Sequence, residues 1–372
     1  MHERYTIHHP ERIFSPGLVV FSEVLDHNLN EMVRIAGGVE RLRPHCKTHK
    51  MPAVVERQLA MGITKHKAAT LAEAEMLAIA GVKDILLAYN IVGPNIERCV
   101  RFREGFPGVK FMVTADDQAA LRQLSEAMLA ANQTIGVMLD INPGRDRTGL
   151  EPDAEAAKLW ALIHELPGVT PEGLHYYDGH RHEHDFAERQ AAVQPGWQRL
   201  MAFCDDLEKA GQAVPRIVCG GTPTFPVYAV MDDPRIELSP GTCVFHDVGY
   251  GTNFPDLDGF IPAALLLTRV ISRPTSNRVT FDLGTKAVAS DPPMGQRAFL
   301  PDLPNGEQVL QNEEHLVVET DEADKFQPGD WTLAIPRHVC PCAVLHRQAT
   351  VIENGEIVDH WEIVARDRQL TI

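Results

Sequence analysis

Three stretches of this chain combine residue types and spacings that could do chemistry. The first is Arg43-Pro44-His45-Cys46-Lys47-Thr48-His49-Lys50. A lysine at the end of a short strand, buried in the mouth of a barrel, loses hydration. Its pKa then falls and its amine can attack a carbonyl. The plain alternative is a solvated basic loop, because lysine is usually exposed. The second stretch is Ile335-Pro336-Arg337-His338-Val339-Cys340-Pro341-Cys342. His338 and Cys340 are two residues apart, so an extended backbone would point both to one side. An imidazole with a thiolate suits a divalent metal such as zinc, and two protein ligands leave positions for water and substrate. A buried thiol beside a lone histidine reads equally well from these residues alone. The third stretch is His180-Arg181-His182-Glu183-His184-Asp185, whose alternating imidazoles could serve a metal or a proton transfer. As a solvated loop before a helix it would be unremarkable.

Smaller motifs surround these. Gly220-Gly221-Thr222 and Pro240-Gly241-Thr242 could offer backbone N–H groups and hydroxyls to a phosphate, although Gly-Gly-Thr is also an ordinary turn. Arg147, before Thr148-Gly149, is a fixed cation that could hold a phenolic oxygen, or pair with Asp146 or Glu151 at the surface. His175 and Tyr177 share one strand face, from which Tyr177 could reach a pyridine nitrogen or simply pack in the core. A carbonyl-seeking lysine with a phosphate cradle suggests pyridoxal 5'-phosphate, whose aldehyde Lys47 would engage.

The elements that must position these groups are legible as alternating patterns. Strand candidates run over 42–48, 65–69, 84–89, 110–114, 134–141, 173–177, 216–219 and 236–245. Helix candidates lie between them, at 53–61, 71–80, 95–104, 116–131, 153–165, 186–210 and, weakly, 224–231. Gly62, Gly81, Gly108, Gly168 and Gly211 stand where helices would stop. Asp116 and Asp153 stand where helices would start, and Thr70 with Glu73 matches a capping box. Eight such units predict a (β/α)₈ TIM barrel over 21–255, close to the usual size of about 250 residues. A doubly wound open sheet is the alternative. Beyond 255 the strand-like runs follow one another without helices: 264–272, 278–282, 315–319, 331–335, 349–353 and 356–364. Asn354-Gly355 joins the last two as a hairpin turn. Residues 256–372, with 1–20, therefore read as a C-terminal β domain carrying the metal site.

The bulk composition excludes several classes of function. The chain has 372 residues, 44% of them hydrophobic, and a net charge of −16. So acidic a chain is poorly suited to nucleic acid or an anionic membrane, though not to a small anionic ligand. No run of roughly 18 apolar residues suggests a membrane span, and the first residues lack a signal-peptide core, so the cytoplasm is expected. Seven cysteines, an odd number, read as reduced thiols.

Taken in order, the motifs resemble the D-threonine aldolase and D-serine dehydratase family of pyridoxal-phosphate enzymes, which has the alanine-racemase-like fold. The matching residues are 43–50, Arg147-Thr148-Gly149, Tyr177-Asp178-Gly179-His180, Gly220-Gly221-Thr222, Pro240-Gly241-Thr242, Asp282-Leu283-Gly284-Thr285-Lys286-Ala287, Glu313-Glu314-His315 and His338-Val339-Cys340. The resemblance implies that Lys47, with Lys50 as its competitor, attaches the cofactor. It implies that Arg147, Tyr177, Gly220, Gly221, Thr222, Gly241 and Thr242 hold it, and that His338 and Cys340 bind zinc, manganese or a similar cation. His180 is the candidate base. The expected activity is cleavage of D-3-hydroxy amino acids to glycine and an aldehyde. Dehydration of D-serine or 3-hydroxy-D-aspartate to a keto acid and ammonia is the alternative, since the dehydratase branch carries His-x-Cys where an aldolase branch has a carboxylate. A non-catalytic cofactor-binding protein is the third reading, and a homodimer is expected.

Overall fold

The computed structural model describes residues 3–372, so the first two residues of the lead-in segment lie outside it. The chain divides into two units. One comprises residues 33–47, 54–241 and 368–372; the other comprises residues up to 32, 48–53 and 242–367. Residues 242–255, expected with the barrel, group with the second unit.

The first unit is a parallel barrel. Its strands Lys65–Ala68, Asp84–Asn90, Lys110–Ala115, Ile135–Ile141, Val169–Tyr176, Ile217–Cys219 and Ile236–Leu238 pair in sequence order, as successive right-handed β-α-β crossovers require. Every residue of Ile135–Ile141 is buried, as expected of a strand covered on both faces. Leu86, Met112, Met138 and Val218 pack together as a core cluster.

The expected first strand, 42–48, is reduced to single bridges. Leu42 pairs with Leu238 and His45 with Lys67. Arg43 N donates to Leu238 O (2.8 Å), and Lys67 N donates to Pro44 O (2.9 Å). These bonds join the last sheet strand to the first and complete the circuit. Pro44 has no N–H to continue a ladder, and the chain leaves through a 3₁₀ turn, Cys46–Thr48. Lys47 therefore sits on that turn, not at a strand end. The strand expected over 236–245 also stops early, at Leu238. Pro240 interrupts it, and Thr242–Val244 is another 3₁₀ turn.

The helix signals were mostly sound. Thr70 Oγ1 accepts from Glu73 N (3.1 Å), and Asp153 Oδ1 accepts from Glu155 N (2.9 Å) and Ala156 N. The helix Gln118–Ala130 is capped by Asp117, not Asp116. Asp116 instead accepts from Gly149 N (2.8 Å), anchoring the loop that carries Arg147.

The second unit is built on one mixed sheet. In order its strands are Glu307–Gln311, Leu316–Glu319, Arg278–Phe281, Ala264–Thr275, Gly17–Phe21, Gln348–Glu353 and Glu356–Glu362. Gly17–Phe21 lies inside this sheet, so residues from the lead-in segment do complete it. Trp331–Pro336 pairs with Ala264–Thr275 and with the two-residue strand Ala298–Phe299. Asn354 and Gly355 have φ of +50° and +81°, the two left-handed residues that a tight hairpin needs. No helix among the described residues is long and apolar enough to cross a membrane.

Candidate active site

In the barrel unit, charged groups gather at the C-terminal ends of the strands, where barrel enzymes place their chemistry. Lys47 Nζ lies 5.4 Å from the centroid of the Tyr177 ring, and the Arg147 guanidinium lies 5.1 Å from it. Arg147 forms no surface pair with Asp146 or Glu151. Asp146 accepts from Asn142 Nδ2 (2.8 Å), and Glu151 pairs with Arg199 (3.4 Å). Arg147 also lines one small cavity with Asp140, Arg145, His175 and Tyr177.

A second amine shares this ring. Lys67 Nζ is 5.2 Å from the Tyr177 centroid and 3.2 Å from His175 Nε2. His175 Nδ1 is 2.7 Å from Asp140 Oδ1, and all three residues are buried. Burial, reinforced by the Lys47 ammonium, pushes the Lys67 amine down to about 7 against the pull of Asp140. Burial and the same Lys67 charge push His175 down, so its imidazole stays neutral. The sequence reading missed Lys67 and Asp140. The only available signal was the run Lys65-His66-Lys67 inside a strand that a barrel must bury.

The glycine loop fits an oxyanion. Gly220 has φ +72°, and a Cβ there would come 2.9 Å from Phe225 Cα. A Cβ on Gly221 would come 2.9 Å from Tyr177 Cε2, so the loop must be bare for the ring to pack on it. Gly221 is buried, and its N–H donates to no described residue, whereas buried N–H groups are nearly always paired. Gly241 N donates to Thr222 Oγ1 (3.3 Å), tying the two expected loops together. These features suit a bound phosphate.

Of the three alternating histidines, His182 and His184 are exposed and His180 is half-buried. His180 Nδ1 is buried with no hydrogen-bond partner among the described residues. Burial, then the Arg181 and Arg145 charges, lower its pKa and keep the imidazole ready to accept a proton. Next to it, Asp178 is locked by Thr224 Oγ1 (2.6 Å) and Tyr228 OH (2.8 Å). Asp185 turns away to cap the helix Phe186–Lys209.

The second unit holds the other predicted pair. The expected extended backbone ends at His338, which stands at the N-cap position of the helix Val339–Leu345 without a capping bond from its side chain, and Cys340 lies in the first turn. The two side chains nevertheless act on each other electrostatically. Burial disfavours charge on His338, but Cys340 and then Asp291 outweigh it and raise the imidazole to about 9. Burial alone would raise the Cys340 thiol; His338 and the hydroxyls of Thr48 and Thr242 bring it below its ordinary value. Those hydroxyls lie 3.2 Å and 3.5 Å from Cys340 Sγ. The Thr242 side chain, expected at a phosphate, thus meets the thiol. His338 Nδ1 is 2.5 Å from Asp291 Oδ2, a partner the sequence reading did not find. A thiolate beside an imidazole whose far nitrogen is held by a carboxylate is a donor set suited to a divalent cation. Lys50, the competitor of Lys47, belongs to this second unit and has φ +53°. A different buried trio, His45, Cys46 and Glu73, lies in the barrel unit with donor atoms within 4.8 Å of one another. Internal contacts already engage it: Lys47 N donates to His45 Nδ1 (3.3 Å), and Ala69 N donates to Glu73 (2.6 Å).

Comparison with known proteins gives a consistent result. Residues 22–247 match the family described as "Alanine racemase, N-terminal domain", and residues 263–352 match the "Putative serine dehydratase domain". The chain is 31% identical to a D-threonine aldolase of Arthrobacter sp, over 95% of this chain and 93% of the relative. It is 26% identical to a 3-hydroxy-D-aspartate aldolase of Paracoccus denitrificans (strain Pd 1222), over 96% and 93%. The crystal structure of a D-threonine aldolase from Filomicrobium marinum superposes with a TM-score of 0.88 at 29% identity, covering 95% of this chain and 96% of that one. The chain belongs to the D-threonine aldolase and D-serine dehydratase family, built on the alanine racemase N-terminal domain.

Proposed function

We propose that this protein is a pyridoxal-phosphate- and metal-dependent lyase that cleaves D-3-hydroxy amino acids between Cα and Cβ, giving glycine and an aldehyde. The observation that carries the reading is the convergence of Lys47 and Arg147 on the Tyr177 ring, which itself packs on Gly221. Lys47 would hold the cofactor through its aldehyde, Gly220, Gly221, Thr222 and Gly241 its phosphate, Arg147 its phenolic oxygen and Tyr177 its ring. When bound, the cofactor supplies a sink for the electrons left on Cα. His338 and Cys340 would hold the divalent cation, zinc or manganese, which supplies the Lewis acidity that lowers a hydroxyl pKa. His180 takes the proton of the substrate hydroxyl on its imidazole, which burial and two arginines keep neutral. Asp178 fixes the loop that aims His180. The reading includes a homodimer in the cytoplasm, and none of the seven cysteines is in a disulfide.

Cys340 favours a second reading, dehydration. The two reactions use the same residues and differ in which bond to Cα is broken. Incubating the pure protein with D-threonine, D-serine and D-3-hydroxyaspartate, with and without chelator, separates them. We expect glycine and acetaldehyde from D-threonine, lost on chelation. A keto acid and ammonia would establish the dehydratase. Cofactor absorbance without turnover would leave only a binding protein.

A further inference from the structure

Lys67, the second amine at the Tyr177 ring, has no role in the mechanism above. A lysine is rarely buried this far, at 2% exposure, unless it is paired with a carboxylate. Lys67 is not so paired. The one hydrogen-bond partner described for its amine is a histidine nitrogen, His175 Nε2 at 3.2 Å. The other nitrogen of that histidine lies against Asp140, which fixes the tautomer: Nδ1 carries the hydrogen, and Nε2 presents its lone pair to Lys67. A strand position has thus been given to an amine, and two further buried polar residues hold it. Such an arrangement costs stability and calls for a function.

We propose that Lys67 is the proton acceptor for Lys47. Lys47 cannot bond to an aldehyde carbon as an ammonium, because its nitrogen lone pair is occupied. One proton leaves Lys47 Nζ and is taken up at Lys67 Nζ, so that the charge on the pair is unchanged and no outside reagent is consumed. The new ammonium donates to His175 Nε2, while Asp140 balances its charge from behind the imidazole. Displacement of Lys47 by the substrate amine at the start of a turnover runs the same transfer in reverse, and its return at the end repeats the forward one. The groups facing Lys67 from every surrounding element agree with this role. Lys47 and Arg147 oppose its charge and Asp140 favours it, while burial keeps the His175 imidazole and the Cys219 thiol neutral. The balance leaves Lys67 exchanging its proton at about 7, where an acceptor is effective at neutral pH.

The proposal rests on Lys47 being the cofactor lysine. Its test is the rate at which the full-length chain, stripped of cofactor, recaptures pyridoxal phosphate, followed by absorbance from pH 6 to 9. The native rate should rise through a midpoint of about 7. Lys67→Met should lack that midpoint and capture about tenfold more slowly or worse near neutral pH. Lys67→Arg keeps the positive charge but cannot accept a proton, so it should be as slow. Asp140→Asn, which keeps both lysines, should move the midpoint to lower pH by removing the charge that stabilises the Lys67 ammonium; this arm remains decisive if the Lys67 variants do not fold. A Lys67→Met chain with the native rate and midpoint, an arginine variant that restores both, or an unmoved midpoint in Asp140→Asn overturns the proposal alone. A native chain that never develops a cofactor band overturns the family-based reading, and this proposal with it.

Discussion

Asp291 holds one nitrogen of His338, which fixes the ring's orientation and leaves the other nitrogen for the proposed cation. Partners of this kind usually contribute a factor of about 10–100 in metal affinity. Asp291→Ala should therefore weaken zinc or manganese binding by about that factor, read by competitive titration with a chromogenic chelator. His338→Ala should abolish the binding; if it does not, the ligand assignment is wrong. Gly221 makes a second prediction at this scale. A methyl there would displace the Tyr177 ring, so Gly221→Ala should fold normally but bind cofactor about tenfold more weakly or worse, as core overpacking does. Residues of this first kind were legible because their types are unusual where they stand: a glycine pair after a strand, an imidazole two residues from a thiol. Lys67, Asp140 and Asp291 were not. Each is a single common polar residue, and only the folded neighbours reveal that it is buried or facing a histidine.

At the scale of elements, the barrel is completed where its first strand is weakest. Arg43, fully buried, bonds Asp84 (2.7 Å) and Glu237 (2.6 Å), and Lys65 adds a bond to Glu237 (2.9 Å). Three strands or strand-like segments are tied by one guanidinium. Removing one member of such a buried set typically costs about 3–5 kcal/mol, so Arg43→Met should lower the melting temperature sharply by leaving Glu237 poorly paired. The network also sets a pH dependence. Burial opposes charge on Glu237, but Arg43 and Lys65 win and hold its carboxyl at about 2, below its ordinary 4.5. The stabilisation is full above pH 4.5 and is lost as pH falls from there through about 2. Denaturation at several acid pH values should show a fall in that window, reduced in Glu237→Gln. The sequence placed most elements within a few residues because their burial is periodic and their caps are local. It failed where periodicity misleads. Pro44 interrupts the ladder inside 42–48, and apolar Val244 and Phe245 extended an apparent strand past Leu238. The strands Ala298–Phe299 and Glu307–Gln311 are too short or too polar to leave a pattern.

For the whole molecule, the contrast is between a chain of net charge −16 and a barrel end where Lys47, Lys67 and Arg147 face one tyrosine. Such a focus of positive charge attracts a small polyanion. The family was legible because its motifs recur in order along most of the chain, although no single motif was decisive. What the sequence left open was which amine among Lys47, Lys50 and their neighbours carries the chemistry, because that depends on the shape of one turn. The direct test is to load the protein with pyridoxal phosphate, reduce it with borohydride and map the modified peptide by mass spectrometry. The added mass should fall on Lys47; the same mass on Lys50 or Lys67, with Lys47 unmodified, would overturn the assignment of the cofactor lysine.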